Sequence, residues 1–257
     1  MKKIILKHES QITSIVLNND AKRNAFDSQM SNEVINAINE ATTVGSRVIV
    51  ISANSSHGIF SAGHDLSELN DVGDVVNDPM FKLFDCISNC SRPIIAKVDG
   101  AVYAGALHLL MVCDMVYATT SSKVVITANK MGIPFSLHEY NNWLLVMGIH
   151  KVKELFFTAA AIDAKDAYNA GIFNSIFDTK EELTNKINTV CNQVIDCSAA
   201  GIANTKLQLS ALARNVVLDY ETMKLIEQSR EHILKSCELK SRIDALLNKI
   251  NNKKSGD

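Results

Sequence analysis

Apolar residues recur along the chain in two distinct rhythms. Ile4–Leu6 and Ile12–Leu17 run apolar or alternate on either side of a polar turn, which predicts a strand pair. From Asp27 to Ala41 the spacing is helical, with Met30, Val34, Ile35, Ala37, Ile38 and Ala41 on one face and Asp27 or Ser28 as N-cap. Arg47–Ser52 is a β-branched run suited to a parallel strand buried on both faces. Ile94–Val98 and Met115–Ala118 predict further core strands, with an apolar helix Ala106–Val112 between them and a strand at Val124–Ile126 beyond. The stretch Asn70–Pro79 reads as a polar, mobile loop. Helical spacing dominates from about Thr184, and the polar end Asn251–Asp257 is expected to fray. The pattern is that of an α/β core over residues 1–190, followed by a helical region over 191–257.

Composition narrows the function classes. The 257 residues carry 26 Lys and Arg against 28 Asp and Glu, a net charge of −2, so no basic surplus is available for nucleic acid or an anionic membrane. The longest apolar stretches are interrupted by His108 and Asp114, so no membrane span is expected, and charge returns at Lys7 before any signal-peptide core can form. Six cysteines form no CxxC and have no His at zinc-ligand spacing, so reduced thiols and a cytoplasmic location are expected. A mean hydropathy of +0.05 suits a subunit that buries surface against copies of itself.

Three clusters could carry chemistry. In Phe60–Leu66 (FSAGHDL) a glycine turn lets backbone approach a ligand, and Asp65 can cap a helix beyond it; a tight turn with a surface His is the plain alternative. Asp99–Ala106 (DGAVYAGA) precedes the apolar helix, where unpaired N–H groups make an anion site, although Gly105 equally suits close helix–sheet packing. Thr127–Phe135 (TANKMGIPF) comes after the Val124–Ile126 strand, so that a hydroxyl and an aromatic ring share a cleft or simply form a strand exit.

Together these blocks, with Arg23–Phe26 (RNAF) ahead of them, resemble the crotonase superfamily (enoyl-CoA hydratase/isomerase) in order and spacing over roughly residues 10–180. The resemblance implies a spiral of ββα units with a C-terminal helical trimerisation region, and a homotrimer or homohexamer. It also implies an acyl-CoA thioester as substrate, with the amides of His64 and Gly105 holding the thioester oxygen as it becomes an enolate. The tail residues Ile226, Ile233, Leu234, Leu239, Ile243, Leu246 and Leu247 would serve self-association. Ala62, His64, Asp65, Leu66, Ser67 and Glu68 would line the CoA chain. Lys22 or Arg23 would meet a CoA phosphate or else form a solvated surface pair.

Departures from the family pattern point to the reaction. Where hydratases of the family carry two glutamates, this chain has His108 and Ala128, so ordinary hydration lacks its acid/base pair. FSAGHDLSEL and GIHKVKELFFTAAAIDAKDAYNAGI resemble the methylmalonyl-CoA decarboxylase subgroup. That resemblance implies a carboxylate pocket shaped by His64 and Thr127, with Phe135 where the subgroup has Tyr. The expected activity is decarboxylation of a small α-carboxyacyl-CoA without metal or organic cofactor. Also open are a polyketide β-branching decarboxylase or dehydratase, another hydratase/isomerase-type activity, and an inactive acyl-CoA-binding module.

Overall fold

The computed structural model describes residues 2–68, 78–213 and 235–254, with a few positions between 220 and 232. Most of the Asn70–Pro79 stretch lies outside the described residues. So do Ile226, Ile233 and Leu234, and the side chains of Leu239, Leu246 and Leu247.

The first sheet tracks the hydrophobic pattern closely. Strands β1 (Ile4–Glu9) and β2 (Ile12–Leu17) form the expected antiparallel hairpin. Parallel to β2 run, in order, β3 (Val48–Ala53), β5 (Ile94–Val98), β7 (Met115–Thr119) and β10 (Ser175–Phe177). Val48 to Ile51 are all buried, as a strand covered on both faces requires. Helix α1 (Ser28–Thr43) buries Met30, Val34, Ala37, Ile38 and Ala41, and Asp27 caps it by accepting from Met30 N at 2.9 Å.

A second sheet is built from strands of three residues: β4 (Ile59–Ser61), β6 (Ala101–Tyr103), β8 (Lys123–Val125) and β9 (Ala161–Asp163). It splits the expected strand–helix–strand unit. After β5 the chain crosses to β6 before entering helix α3 (Gly105–Val112), and only then returns to the first sheet as β7. The turns after β4 and β6 come together at the start of α3, where Gly63 approaches Tyr103 and Gly105. Helix α2 (Pro79–Asn89) packs on α1 and α3; α4 (Ala128–Met131) leads to α5 (Leu137–Thr158), which is broken at Gly148, where the backbone is non-helical. Helices α6 (Ala164–Asn169), α7 (Lys180–Asp196) and α8 (Ala199–Ala213) come next, and a final helix spans Cys237–Lys254. α7 packs on β3, β5, β7 and β10 and runs through residue 190, where the sequence pattern placed the boundary of the core. Among the described residues no helix is long and apolar enough to cross a membrane.

Candidate active site

Two loops meet at the N-terminus of α3. The first is Ser61–Asp65, locked to the segment that ends at Phe26. Ala62 N donates to Arg23 O at 3.0 Å, Phe26 N to Gly63 O at 2.7 Å and Asp65 N to Phe26 O at 2.7 Å. Arg23 and Asn24 both sit at positive φ to make this possible. The Ser61 hydroxyl donates to Asn24 O at 2.7 Å and accepts from Gly63 N at 3.1 Å, so the loop is pinned from both sides.

The second loop is β6 to α3. Ala104 lies at φ 39°, ψ −109°, outside the regions an L-residue favours, a strain of about 1–3 kcal/mol held by its surroundings. Its N–H donates to Val125 O at 3.0 Å, which fixes the turn against β8. The strained residue is the N-cap of α3, which starts at Gly105.

Gly63 explains why the loops can touch. It has φ +84°, and a Cβ there would lie 2.8 Å from Tyr103 O and 3.1 Å from Gly105 N. The same contact brings two amides together: a Cβ on Gly105 would be 3.5 Å from His64 N. Neither His64 N nor Gly105 N has a hydrogen-bond partner among the described residues. Two unpaired donors side by side, one of them at a helix start, are suited to an anionic oxygen. Met80, on the first turn of α2, closes over the pair with its Cε 3.1 Å from that same Gly105 Cβ position.

The His64 side chain is largely buried and turned toward the start of α2. Its Nε2 is 2.6 Å from Asp78 Oδ2, and its Nδ1 is 3.1 Å from Asp65 O. Burial opposes a charge on the ring, but the Asp78 carboxylate outweighs it and raises the His64 pKa above the ordinary imidazole value. Asp78 is likewise held ionised: burial would raise its pKa, and the His64 hydrogen bond and charge pull it below the usual carboxylate value. Its other oxygen caps α2 by accepting from Met80 N at 2.7 Å. Asp78 was not legible as a site residue; its only signal was Asp before Pro, a helix-start pair, at the end of a polar run.

The expected CoA-lining residues gather on the same turn but are engaged with protein. Lys22 Nζ pairs with Asp65 Oδ2 at 2.6 Å, and Asp65 Oδ1 accepts from Ser67 N and its hydroxyl. Glu68 accepts from Ser28 N at 2.7 Å, and Leu66 completes the turn. Lys22 remains half-exposed, so its ammonium can still face solvent ligands beside the loop.

Beyond Gly105, α3 runs into an aromatic core. His108, one turn along α3 from Gly105, is 1% exposed and packs edge-on against Phe84 and Trp143, with ring centroids 4.5 and 5.6 Å away. Burial, with His138 nearby, pushes its pKa down to about 3, so it stays neutral at physiological pH and cannot act as a cationic acid. Among the described residues its Nδ1 and the Trp143 Nε1 are buried without a hydrogen-bond partner. Ala128 is buried at the start of α4, and Thr127 precedes it without making a side-chain cap. Phe135 stacks edge-on with Trp143, Phe156 and Tyr140, at centroid distances of 4.8, 5.5 and 6.2 Å. Glu139, also buried, accepts through Oε2 from Ser136 N and its hydroxyl as part of a capping box on α5. Among the described residues no group of three or more His, Cys, Asp or Glu is placed to hold a metal ion.

Residues 7–248 match the enoyl-CoA hydratase/isomerase family model, and the chain belongs to that family of acyl-CoA enzymes. It is 28% identical to methylmalonyl-CoA decarboxylase of Escherichia coli over 93% of both chains, and 24% identical to a short-chain-enoyl-CoA hydratase of Clostridium acetobutylicum over 87% of this chain and 86% of that one. Among solved structures, methylmalonyl-CoA decarboxylase in complex with 2-nitronate-propionyl-CoA superposes with a TM-score of 0.92 at 27% identity, covering 96% of each chain. An enoyl-CoA hydratase from Bacillus halodurans has a TM-score of 0.78 at 20% identity, covering 95% of this chain and all of that one, a likeness of fold.

Proposed function

We propose that the protein removes CO2 from a small α-carboxyacyl-CoA of the methylmalonyl-CoA type. The observation that carries this reading is the pairing of His64 N and Gly105 N, two amides side by side and unpartnered among the described residues, in a chain that has His108 and Ala128 where the resemblance puts a hydratase's carboxylates. The E. coli relative that acts on methylmalonyl-CoA supports the choice of substrate.

In this reading the thioester oxygen accepts from both amides. The C–CO2 bond breaks perpendicular to the thioester plane, its electron pair enters the carbonyl, and the enolate oxygen takes the negative charge. Donors already oriented in a dry site lower such a barrier, and losing one typically costs about 2.7–4 kcal/mol. Thr127 orients the departing carboxylate, and the aromatic wall of Phe135 favours its conversion to neutral CO2. A proton from solvent then returns to the α-carbon and the shortened acyl-CoA leaves. No step uses a metal or an organic cofactor. The loop from Ala62 to Glu68 and Lys22 lie along the path of the CoA chain.

The test is to incubate the purified protein separately with methylmalonyl-, malonyl-, ethylmalonyl- and crotonyl-CoA and track products by mass. Loss of CO2 from a carboxylated thioester with negligible hydration of crotonyl-CoA is expected. Hydration at the rate of an ordinary hydratase would overturn the reading.

A further inference from the structure

The His64 ring has an acceptor at each nitrogen, a carbonyl at Nδ1 and a carboxylate at Nε2. A neutral imidazole has one N–H and would leave one of these contacts as a lone pair facing an oxygen; only the imidazolium donates to both. Asp78 is well placed to impose that state, because it belongs to a different element. Its Oδ1 caps α2 and its Oδ2 reaches across to the glycine loop, so a single carboxylate ties the helix that carries Met80 to the loop that carries the His64 amide.

We propose that Asp78 is a positioning residue: it holds the His64 ring as a doubly donating cation and thereby keeps the His64 amide aimed beside that of Gly105. The proposal rests on the decarboxylase reading for its reaction, but the ion pair itself does not. Among the described residues the charged groups around the ring are few. Asp78 faces it from α2; Asp65 is on its own loop but ion-paired to Lys22, and Glu68 on the same turn is bonded to Ser28. Removing Asp78 therefore removes the partner that most favours the cation. As pH rises, His64 loses its second proton, one contact fails and the loop loosens, so turnover falls on the alkaline side.

The variants separate this role from capping alone. Asn and Ser both serve as good N-caps, so Asp78→Asn and Asp78→Ser preserve the start of α2 while removing the charge. For both variants we expect turnover lower by about tenfold or more with KM little changed, and an alkaline limb displaced to lower pH by about one to three units. Affinity for 2-nitronate-propionyl-CoA, whose thioester oxygen takes both amides in this reading, should fall in parallel. Nitrogen NMR of the ligand-free protein should show both His64 ring nitrogens protonated at neutral pH, and one of them deprotonated in Asp78→Asn. A capping role alone leaves Asn and Ser like the wild type in pH profile and nitronate affinity, and that result overturns the proposal, as does a neutral His64 in the wild type. If the wild type decarboxylates none of the thioesters, the reaction reading fails; the NMR and nitronate measurements still decide the role of Asp78.

Discussion

Two histidines on either side of the start of α3 are in opposite states. His64 on the glycine loop faces a carboxylate and a carbonyl and is driven toward the cation. His108 on α3 is enclosed by Phe84 and Trp143 and is held neutral. Both are largely buried, so burial alone does not choose the charge; the partner does. The difference separates a glycine loop that fixes donors for a developing negative charge from an aromatic core in which His108 stays neutral and the buried carboxylate of Glu139 is taken up by the capping box of α5.

The strongest way to break that contrast is at the glycine loop. Gly63→Ala puts a methyl 2.8 Å from Tyr103 O and 3.1 Å from Gly105 N at a positive φ, forcing the two amides apart. Turnover should fall by about a hundredfold or more, read against circular dichroism showing that the fold is kept. Thr127→Val tests the proposed carboxylate contact at the start of α4. It removes a hydroxyl that caps nothing, so turnover of carboxylated thioesters should drop by about tenfold while acetyl-CoA affinity is little changed.

Smaller effects sharpen the contrast through stability. His108 has a depressed folded pKa, so the unfolded chain takes up a proton below pH 6.5 while the folded chain does not. Stability on this account falls with acidification by up to about 1.4 kcal/mol per unit. His108→Phe should flatten that slope in denaturant titrations across acidic pH. The His64–Asp78 pair has the opposite sign on its imidazole side. Its contribution is full between the unfolded carboxylate value of 3.8 and the unfolded imidazole value of 6.5. It is lost as pH rises through the elevated folded value of His64, or falls through the depressed one of Asp78. Comparing wild type with Asp78→Asn at each pH should reveal about 1–2 kcal/mol inside that window and less outside it.

How much of this was legible in the sequence depended on chain length within each element. Strands of five or six residues such as Ile94–Val98 carry enough β-branched pattern to be read, and α1 with its Asp27 cap was legible to within two residues. In the second sheet β8 (Lys123–Val125) overlaps the strand expected at Val124–Ile126, but β4, β6 and β9 hold too few positions to show a period, so the crossing from β5 to β6 was hidden although it leads the chain into α3. Gly63 and Gly105 were legible because close backbone approach needs glycine. The strain at Ala104 was not, since nothing in an alanine announces a positive φ. The Asp78 contact was invisible for a different reason: an ion pair across 14 residues leaves no periodic trace, and its carboxylate lay at the end of a run that reads as solvated loop.

The most direct test of the decarboxylase account is to incubate methylmalonyl-CoA, labelled with carbon-13 in its free carboxyl group, with the wild-type protein in deuterated water. The account requires labelled CO2 to appear in step with propionyl-CoA that carries one deuterium on its α-carbon, the trace of an enolate protonated from solvent. Intact methylmalonyl-CoA after prolonged incubation, beside ready hydration of crotonyl-CoA by the same preparation, would contradict it.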